Sequence, residues 1–140
     1  PKVVEYNARF GDPECQAVLS LLESDLLDIM LSCREGTLDR ADLRWRDAAA
    51  CCVVLASGGY PGRYQTGLPI SGLEEAEQSA AVFHAGTRRL EGGQLVTSGG
   101  RVLGVTTVGN TLDEAIEAAY AAAEHISFQD MHLRRDIGRV

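Results

Sequence analysis

The first fourteen residues of the chain hold its densest group of side chains that could do chemistry. Glu5, Asn7 and Arg9 stand two residues apart, so in a β-strand they would lie on one face. Carboxylate and amide oxygens are hard ligands that suit Mg²⁺, which takes few protein ligands and completes its shell with substrate phosphates. An arginine on that face could reach a transferred phosphoryl group or its acceptor. The spacing permits phosphoryl-transfer chemistry, although any amphipathic strand with solvated polar groups shows the same alternation.

Two further carboxylates, Asp12 and Glu14, stand at the predicted start of a helix. Asp is a favoured N-cap, Pro13 suits the first helical position, and Glu in the first turn complements the helix dipole. We therefore expect a helix to begin at Pro13. The same carboxylates could instead orient a substrate amine or ribose hydroxyls, and the sequence leaves both interpretations open.

The elements around these groups follow from short-range signals. The first ten residues read as a strand whose neighbours are expected outside this chain. Apolar residues at helical spacing follow as far as Met30, with Ser24–Asp25 predicting either a kink or a second cap, and Gly36 a stop. The stretch from Thr37 to Asp47 is polar and charged, which makes it the best candidate for a domain boundary.

Beyond that stretch the pattern changes to short strands separated by glycines. The predicted strands are 50–57, 81–87, 94–98 and 101–108, with Gly99-Gly100 predicting a hairpin between the last two. Thr111 and Glu114 have the spacing of a capping box and open an alanine-rich helix that runs to His125. The last ten residues are expected to form a short strand or extended segment. The fold class predicted is α+β, a strand-helix unit followed by a small antiparallel sheet packed with a helix.

Composition limits the partners and the compartment. Acidic residues outnumber basic ones 20 to 13, and the net charge of -7 disfavours nucleic acid or an anionic membrane as a partner. No apolar run is long enough to span a bilayer, and the chain opens without Met or a secretory leader. The four cysteines lack a C-x-x-C spacing, so we expect buried or half-buried free thiols and no zinc site. These features predict a cytoplasmic protein, and the opening suggests a piece of a longer polypeptide.

The ordered motifs carry a resemblance to a known family. EYNARFGDPE resembles the final active-site strand of the glycinamide ribonucleotide synthetases, or phosphoribosylamine–glycine ligases, which are ATP-grasp enzymes of purine biosynthesis. The resemblance continues in order through VVLASGGYPGRY, VFHAGT, VTSGGRVLGVT and RRDIG, so that it covers nearly the whole chain. Biotin-dependent carboxylases have a similar E-x-N-x-R strand, but GDPE followed by SGGYPG fits the glycine ligases better.

The resemblance implies a reaction and a domain division. These ligases use ATP to join glycine to 5-phosphoribosylamine through a glycyl phosphate. In the family most of the ATP site and a further metal carboxylate precede the segment seen here. We therefore expect residues 1–44 to end an ATP-grasp domain and residues 45–140 to form the C-terminal domain, inactive without the N-terminal part of the enzyme. The expected partners are ATP, glycine, 5-phosphoribosylamine and that missing part, with no nucleic acid and no membrane.

The resemblance also assigns site residues. Glu5 and Asn7 match the family's ligands for Mg²⁺ or Mn²⁺, and Arg9 and Asp12 are the predicted catalytic residues. The predicted substrate-binding residues are Glu14, Arg101, Arg134 and Arg135, of which the arginines are candidates for the substrate phosphate, although exposed arginines often form only surface ion pairs. The remaining alternatives are a non-catalytic binding module and an ATP-grasp ligase or carboxylase with another acceptor.

Overall fold

The computed structural model describes residues 2–4 and 6–139 and shows the predicted mixed α+β fold. The helices are α1 (Glu14–Ser20), α2 (Leu26–Glu35), α3 (Leu73–Ala76) and α4 (Leu112–His125), with one 3₁₀ turn at Leu38–Arg40. The strands are β1 (Ala49–Ala56), β2 (Ala81–His84), β3 (Thr87–Arg89), β4 (Leu95–Thr97) and β5 (Arg101–Gly109). Within the described ranges, no helix is long and apolar enough to cross a membrane.

The main sheet is antiparallel, with the strand order β1-β5-β2. Val53 lies opposite Val105, which in turn lies opposite Val82. Strands β3 and β4 form a separate two-stranded sheet, so the predicted Gly99-Gly100 hairpin between β4 and β5 was wrong. The reason lies in the backbone around Gly86, whose carbonyl accepts from the N–H of Ser98 at 2.7 Å and whose N–H donates to the carbonyl of Arg101 at 2.8 Å. These bonds lead the chain from one sheet to the other.

The core lies between the main sheet and α4. Alternate residues of β1 and β5 point towards the helix, and Val53, Leu55 and Val105 are fully excluded from solvent. The helix meets them mainly with alanines such as Ala119, whose small side chains allow it to approach closely. Burying one such Val or Leu side chain contributes about 1.5–3 kcal/mol, so this contact is the main source of stability.

The cap of α4 confirms the predicted capping box with one change of partner. The hydroxyl of Thr111 accepts from the N–H of Glu114 at 3.2 Å, as the motif predicts. The carboxylate of Glu114 accepts from the N–H of Asn110 at 2.8 Å, one residue earlier than the usual partner. Both bonds satisfy backbone donors at the helix start that have no partner within the helix.

The helical region before residue 37 is two helices. Asp25 caps α2, because its carboxylate accepts from the N–H of Leu27 at 2.7 Å, and Gly36 ends the helix. This confirms the second cap. Helix α1 begins at Glu14, so the start predicted at Pro13 was one residue early. None of residues 2–4 and 6–50 is buried, which leaves both helices without a core of their own.

The opening residues do not form the predicted strand. Residues 2–4 and 6–10 have no strand assignment, and Glu5 lies outside the described residues. A strand needs a neighbour to receive its backbone hydrogen bonds, and no described strand runs beside these residues. Asn7 and Arg9 are consequently exposed.

The four cysteines are free thiols, as predicted, but their burial varies. Cys51 is buried, and Cys15 and Cys52 are half-buried. Cys33 is exposed on α2, a helix without buried residues, where the sequence predicted a buried or half-buried thiol.

Substitutions at two glycines with positive φ can test how closely the start of α3 packs against the end of α4. Gly72 and Gly67 have φ values of 80° and 81°, a conformation that costs an alanine about 1–2 kcal/mol. A methyl group on Gly72 would also collide with the backbone carbonyl of His125, whereas one on Gly67 would meet open space. We expect Gly67→Ala to lower the free energy of unfolding by about 1 kcal/mol and Gly72→Ala by about 2–4 kcal/mol. Urea denaturation of the two variants measures the difference, and equal losses would contradict this packing.

Candidate substrate-binding site

The structure brings together two predicted site residues that are far apart in the chain. The guanidinium of Arg101 donates to the backbone carbonyl of Asp12 through Nη1 at 2.6 Å, and its Nη2 lies 3.3 Å from the carboxylate oxygen Oδ2. The two side chains remain 38% and 44% exposed, so solvent screens the ion pair. Its main effect is geometric, because it fixes the G-D-P-E segment to the start of β5.

The local environment of Asp12 differs from the helix cap that the sequence permitted. Its Oδ1 accepts from Nε2 of Gln16 at 2.9 Å, and its carboxylate caps no backbone N–H of α1. Two side chains therefore hold this carboxylate from either side, Gln16 and Arg101. Glu14 lies exposed in the first turn, with its carboxylate folded against Gly11.

Arg101 opens onto a cavity of about 360 Å³, which we call the tail cavity. Its apolar walls come from separate segments and consist of Pro13, Val54, Ala56, Pro61, Leu133 and Ile137. Its polar lining consists of Cys52, Tyr60, Arg101, His132 and Arg134. The cavity is therefore a mainly apolar recess with two arginines and one histidine among its lining residues, a composition that suits a small ligand with an anionic end.

Strand β1 forms the floor of the tail cavity. Cys52, Val54 and Ala56 alternate with the core residues and so face away from α4. Burial raises the pKa of the Cys52 thiol, and the negative charge of Asp12 acts in the same direction. The thiol therefore stays protonated at neutral pH and serves as part of the wall, since the thiolate is the nucleophilic form.

The loop after β1 places an aromatic ring beside Arg101. Gly100 is buried, and a methyl group there would collide with the ring of Tyr60. The absence of a side chain on Gly100 thus lets Tyr60 pack over the start of β5 and form one wall of the cavity. From the sequence, Tyr60 of the SGGYPG segment is expected to pack or to cover a loop and has no predicted role in chemistry.

The opposite wall is the tail, residues 131–139. Its first part pairs with β1 through two backbone hydrogen bonds of 2.8 Å between Ala56 and His132. This is an isolated bridge, so of the two predicted alternatives, a short strand or an extended segment, the short strand does not form. Arg134 then lines the cavity and forms a two-point ion pair with Asp136, at 3.0 Å from Nε and 2.7 Å from Nη2. This pairing lowers the pKa of the Asp136 carboxyl. Arg135 is exposed and, among the described residues, is not part of the cavity lining.

A second cavity, of about 440 Å³, lies along α1. Its polar lining includes Asp12, Gln16 and His84. Phe10 and Phe83 form part of its apolar lining. Asp12 lines this second cavity and Arg101 lines the tail cavity, so the ion pair of these residues joins the linings of the two cavities. A ligand that spans both would meet a carboxylate and a guanidinium in succession.

Of the residues predicted for the metal and the phosphoryl group, Asn7 and Arg9 are described, and neither lines the two cavities. Asn7 is exposed, Arg9 donates to the backbone carbonyl of Phe10 at 2.7 Å, and Glu5 lies outside the described residues. Among residues 2–4 and 6–139, no group of three or more His, Cys, Asp or Glu side chains could hold a metal ion. The described donors do not suffice for a metal centre, since Asn7 is the one assigned ligand among them.

Of the residues predicted for the site, Arg101 and Arg134 line the tail cavity, and most of its other lining residues had no predicted role. Among these, His132 and Leu133 directly precede the RRDIG segment and Ile137 lies within it. The one available signal was that segment's place in the ordered motif set.

Comparisons with known proteins identify the family. The family model described as "Phosphoribosylglycinamide synthetase, C domain" matches residues 50–140. Curated proteins named phosphoribosylamine–glycine ligase are similar over nearly the whole chain. The protein from Rhizobium meliloti (strain 1021) is 51% identical over 99% of this chain, and that from Synechocystis sp. 53% identical over 98%.

Solved structures agree with these sequence matches. The crystal structure of phosphoribosylamine–glycine ligase from Thermotoga maritima superposes with a TM-score of 0.82 and 36% identity over 97% of this chain. The match covers 33% of that structure, and 32% and 33% of the Rhizobium and Synechocystis proteins, so the chain spans about a third of the relatives it resembles. On these grounds the chain belongs to the phosphoribosylglycinamide synthetase family, with residues 50–140 matching its C domain.

Proposed function

We propose that this chain is the C-terminal part of an ATP-dependent ligase that joins glycine to 5-phosphoribosylamine in purine biosynthesis. The names of its relatives supply the reaction. One structural observation supports the role given to this chain, namely that Arg101 connects the G-D-P-E segment to the tail cavity. In this proposal the chain holds the phosphorylated substrate, and the rest of the enzyme binds most of the ATP.

The phosphate of the substrate would occupy the tail cavity. A protein segment with a net charge of -7 must provide local positive groups to hold a phosphate dianion. Arg101 and Arg134 both line this cavity, and a guanidinium has five N–H donors, so Arg101 can bind Asp12 and still donate to a phosphate. Of the three arginines predicted for this role, these two have the better position.

The carboxylate of Asp12 would then orient the reacting amine. It lies 3.3 Å from Arg101 and accepts hydrogen bonds, so an amine or ribose hydroxyl next to the bound phosphate can donate to it. In the proposed reaction this amine attacks the carbonyl carbon of glycyl phosphate, the new C–N bond forms as the C–O bond to the phosphate breaks, and phosphate and the proton of the amine leave. Glu14 and Arg9 remain proposed contributors, Glu14 to substrate binding and Arg9 to the phosphoryl group.

Glu5 and Asn7 remain the proposed ligands of Mg²⁺ or Mn²⁺, because their oxygen donors suit such ions. Further ligands would come from the rest of the enzyme. A bound divalent ion would neutralise charge on the transferred phosphoryl group.

The missing part of the enzyme is the proposed cover of α1 and α2. Their region exposes large apolar side chains, among them Val4, which is 96% exposed, and Leu27, Met30 and Trp45. Such a concentration of exposed apolar side chains is typical of an interface. We therefore propose a boundary near residue 45, before which the chain packs against the N-terminal part and after which it has its own core. We propose a cytoplasmic location, although the Arabidopsis relative is named as chloroplastic.

The first test concerns the phosphate site. In the full-length enzyme we expect Arg101→Ala and Arg134→Ala to raise the KM for 5-phosphoribosylamine about ten- to a hundredfold, the size of one charge-assisted hydrogen bond. The KM values for ATP and glycine should stay nearly constant. Arg135→Ala should have a smaller effect, and Arg88→Ala, an exposed arginine of β3, serves as the matched control. A uniform rise in all three KM values would contradict the assignment.

The second test concerns the metal ligands. Glu5→Gln and Asn7→Ala in the full-length enzyme should each lower turnover by orders of magnitude, because a hard oxygen ligand of the metal is lost. Tyr6→Phe, between the two, is the control and should leave turnover unchanged. Steady-state kinetics with Mg²⁺ varied measures this effect, and wild-type rates in both variants at saturating Mg²⁺ would remove the assignment.

The third test uses the 140-residue chain by itself. We expect neither ATP hydrolysis nor micromolar ATP affinity, because the proposal places the adenine and triphosphate on the rest of the enzyme. Isothermal titration calorimetry gives the affinity directly. Tight binding would mean that the nucleotide site lies within this chain.

A further inference from the structure

Tyr120 of α4, which is half-buried, attaches the tail to that helix. The hydroxyl of Tyr120 donates to the backbone carbonyl of Arg134 at 2.8 Å and accepts from the backbone N–H of Ile137 at 3.1 Å. The guanidinium of Arg139 lies over its ring, 5.9 Å from the ring centre. A single side chain therefore contacts the tail at three positions across the turn 134–139.

These contacts fix a wall of the tail cavity. Arg134 and Ile137, the two residues whose backbones bind the hydroxyl, both line that cavity. The ion pair between Arg134 and Asp136 joins two residues of the same turn, so it cannot attach the turn to the body of the protein. The Tyr120 hydroxyl can, because it belongs to a helix that packs on the sheet.

The side chain of Arg134 depends on this attachment. It is 67% exposed and extends from the tail into the cavity lining without a packed environment of its own. Its direction is therefore set by its own backbone and by the ion pair with Asp136 in the same turn, and that turn is held at the Arg134 carbonyl by Tyr120. A shift of about 1 Å in a substrate-positioning group is enough to weaken an oriented interaction.

We propose that Tyr120 is a positioning residue, whose hydroxyl holds the tail so that Arg134 faces the phosphate of a sugar-phosphate ligand in the tail cavity. This inference rests on the proposed function for the identity of the ligand. It adds a residue that acts through Arg134 and does not itself touch the ligand. A tyrosine that only filled space on α4 would do so equally well without its hydroxyl.

The test removes the hydroxyl and keeps the ring. In the full-length enzyme, Tyr120→Phe should accelerate hydrogen exchange at the Ile137 amide at least tenfold. It should also weaken the binding of ribose 5-phosphate, measured by calorimetry, about three- to tenfold, which is less than the loss expected for Arg134→Ala because the guanidinium is displaced and not removed. Tyr64→Phe, which removes a hydroxyl from the loop after β1 and outside the lining of the tail cavity, is the matched control and should change neither value.

A double variant distinguishes positioning from general stability. If Tyr120 acts through Arg134, the variant with both Tyr120→Phe and Arg134→Ala should bind ribose 5-phosphate no more weakly than Arg134→Ala alone. Additive losses would overturn the inference, and so would unchanged binding or unchanged amide exchange in Tyr120→Phe. Ligase activity is a separate measurement. An enzyme without ligase turnover that still shows this non-additive binding would refute the proposed reaction and leave the role of Tyr120 intact.

Discussion

The packing of α4 against β1 and β5 removes water from one face of the main sheet. This packing also determines which side chains of β1 are left on the opposite face. Because side chains alternate along a strand, burying Val53 and Leu55 under the helix turns Cys52, Val54 and Ala56 to the other face. That second face is covered only in part, by α1, the loop after β1 and the tail. The tail cavity is the space left where these three coverings meet.

The two regions of the chain differ in how they are stabilised. The region after residue 50 has a continuous apolar core, whereas none of residues 2–4 and 6–50 is buried. The contact between Arg101 and Asp12 links the two regions at the cavity edge, through a carbonyl and a carboxylate of the same residue. An ion pair this exposed adds little stability, so its value is in fixing which part of the G-D-P-E segment faces the cavity.

The sequence was most informative at three helix ends, where the signal is local. Asp25, Gly36 and Thr111 stand within a few residues of the backbone groups they serve, and the helix limits that they predict were confirmed. The Gly99-Gly100 hairpin failed because strand pairing is decided by residues far along the chain, here by the bonds at Gly86. The cavity was hidden for the same reason, since its walls come from segments between Pro13 and Ile137. Tyr120 gave no signal, because a tyrosine on an alanine-rich helix resembles ordinary packing until the tail is seen beside it.

The pairing of β1 with β5 also has a consequence for the order in which the molecule forms. Ala49 pairs with Gly109 and Ala56 with Arg101, so forming the pair of β1 and β5 closes a loop of about 45 to 60 residues. Contacts this distant slow folding, and during synthesis β1 must wait until β5 and α4 have left the ribosome. Until then its apolar residues are an unpaired edge that can associate with other chains. The delay falls on the strand that forms the floor of the tail cavity, so this cavity can exist only after α4 has docked.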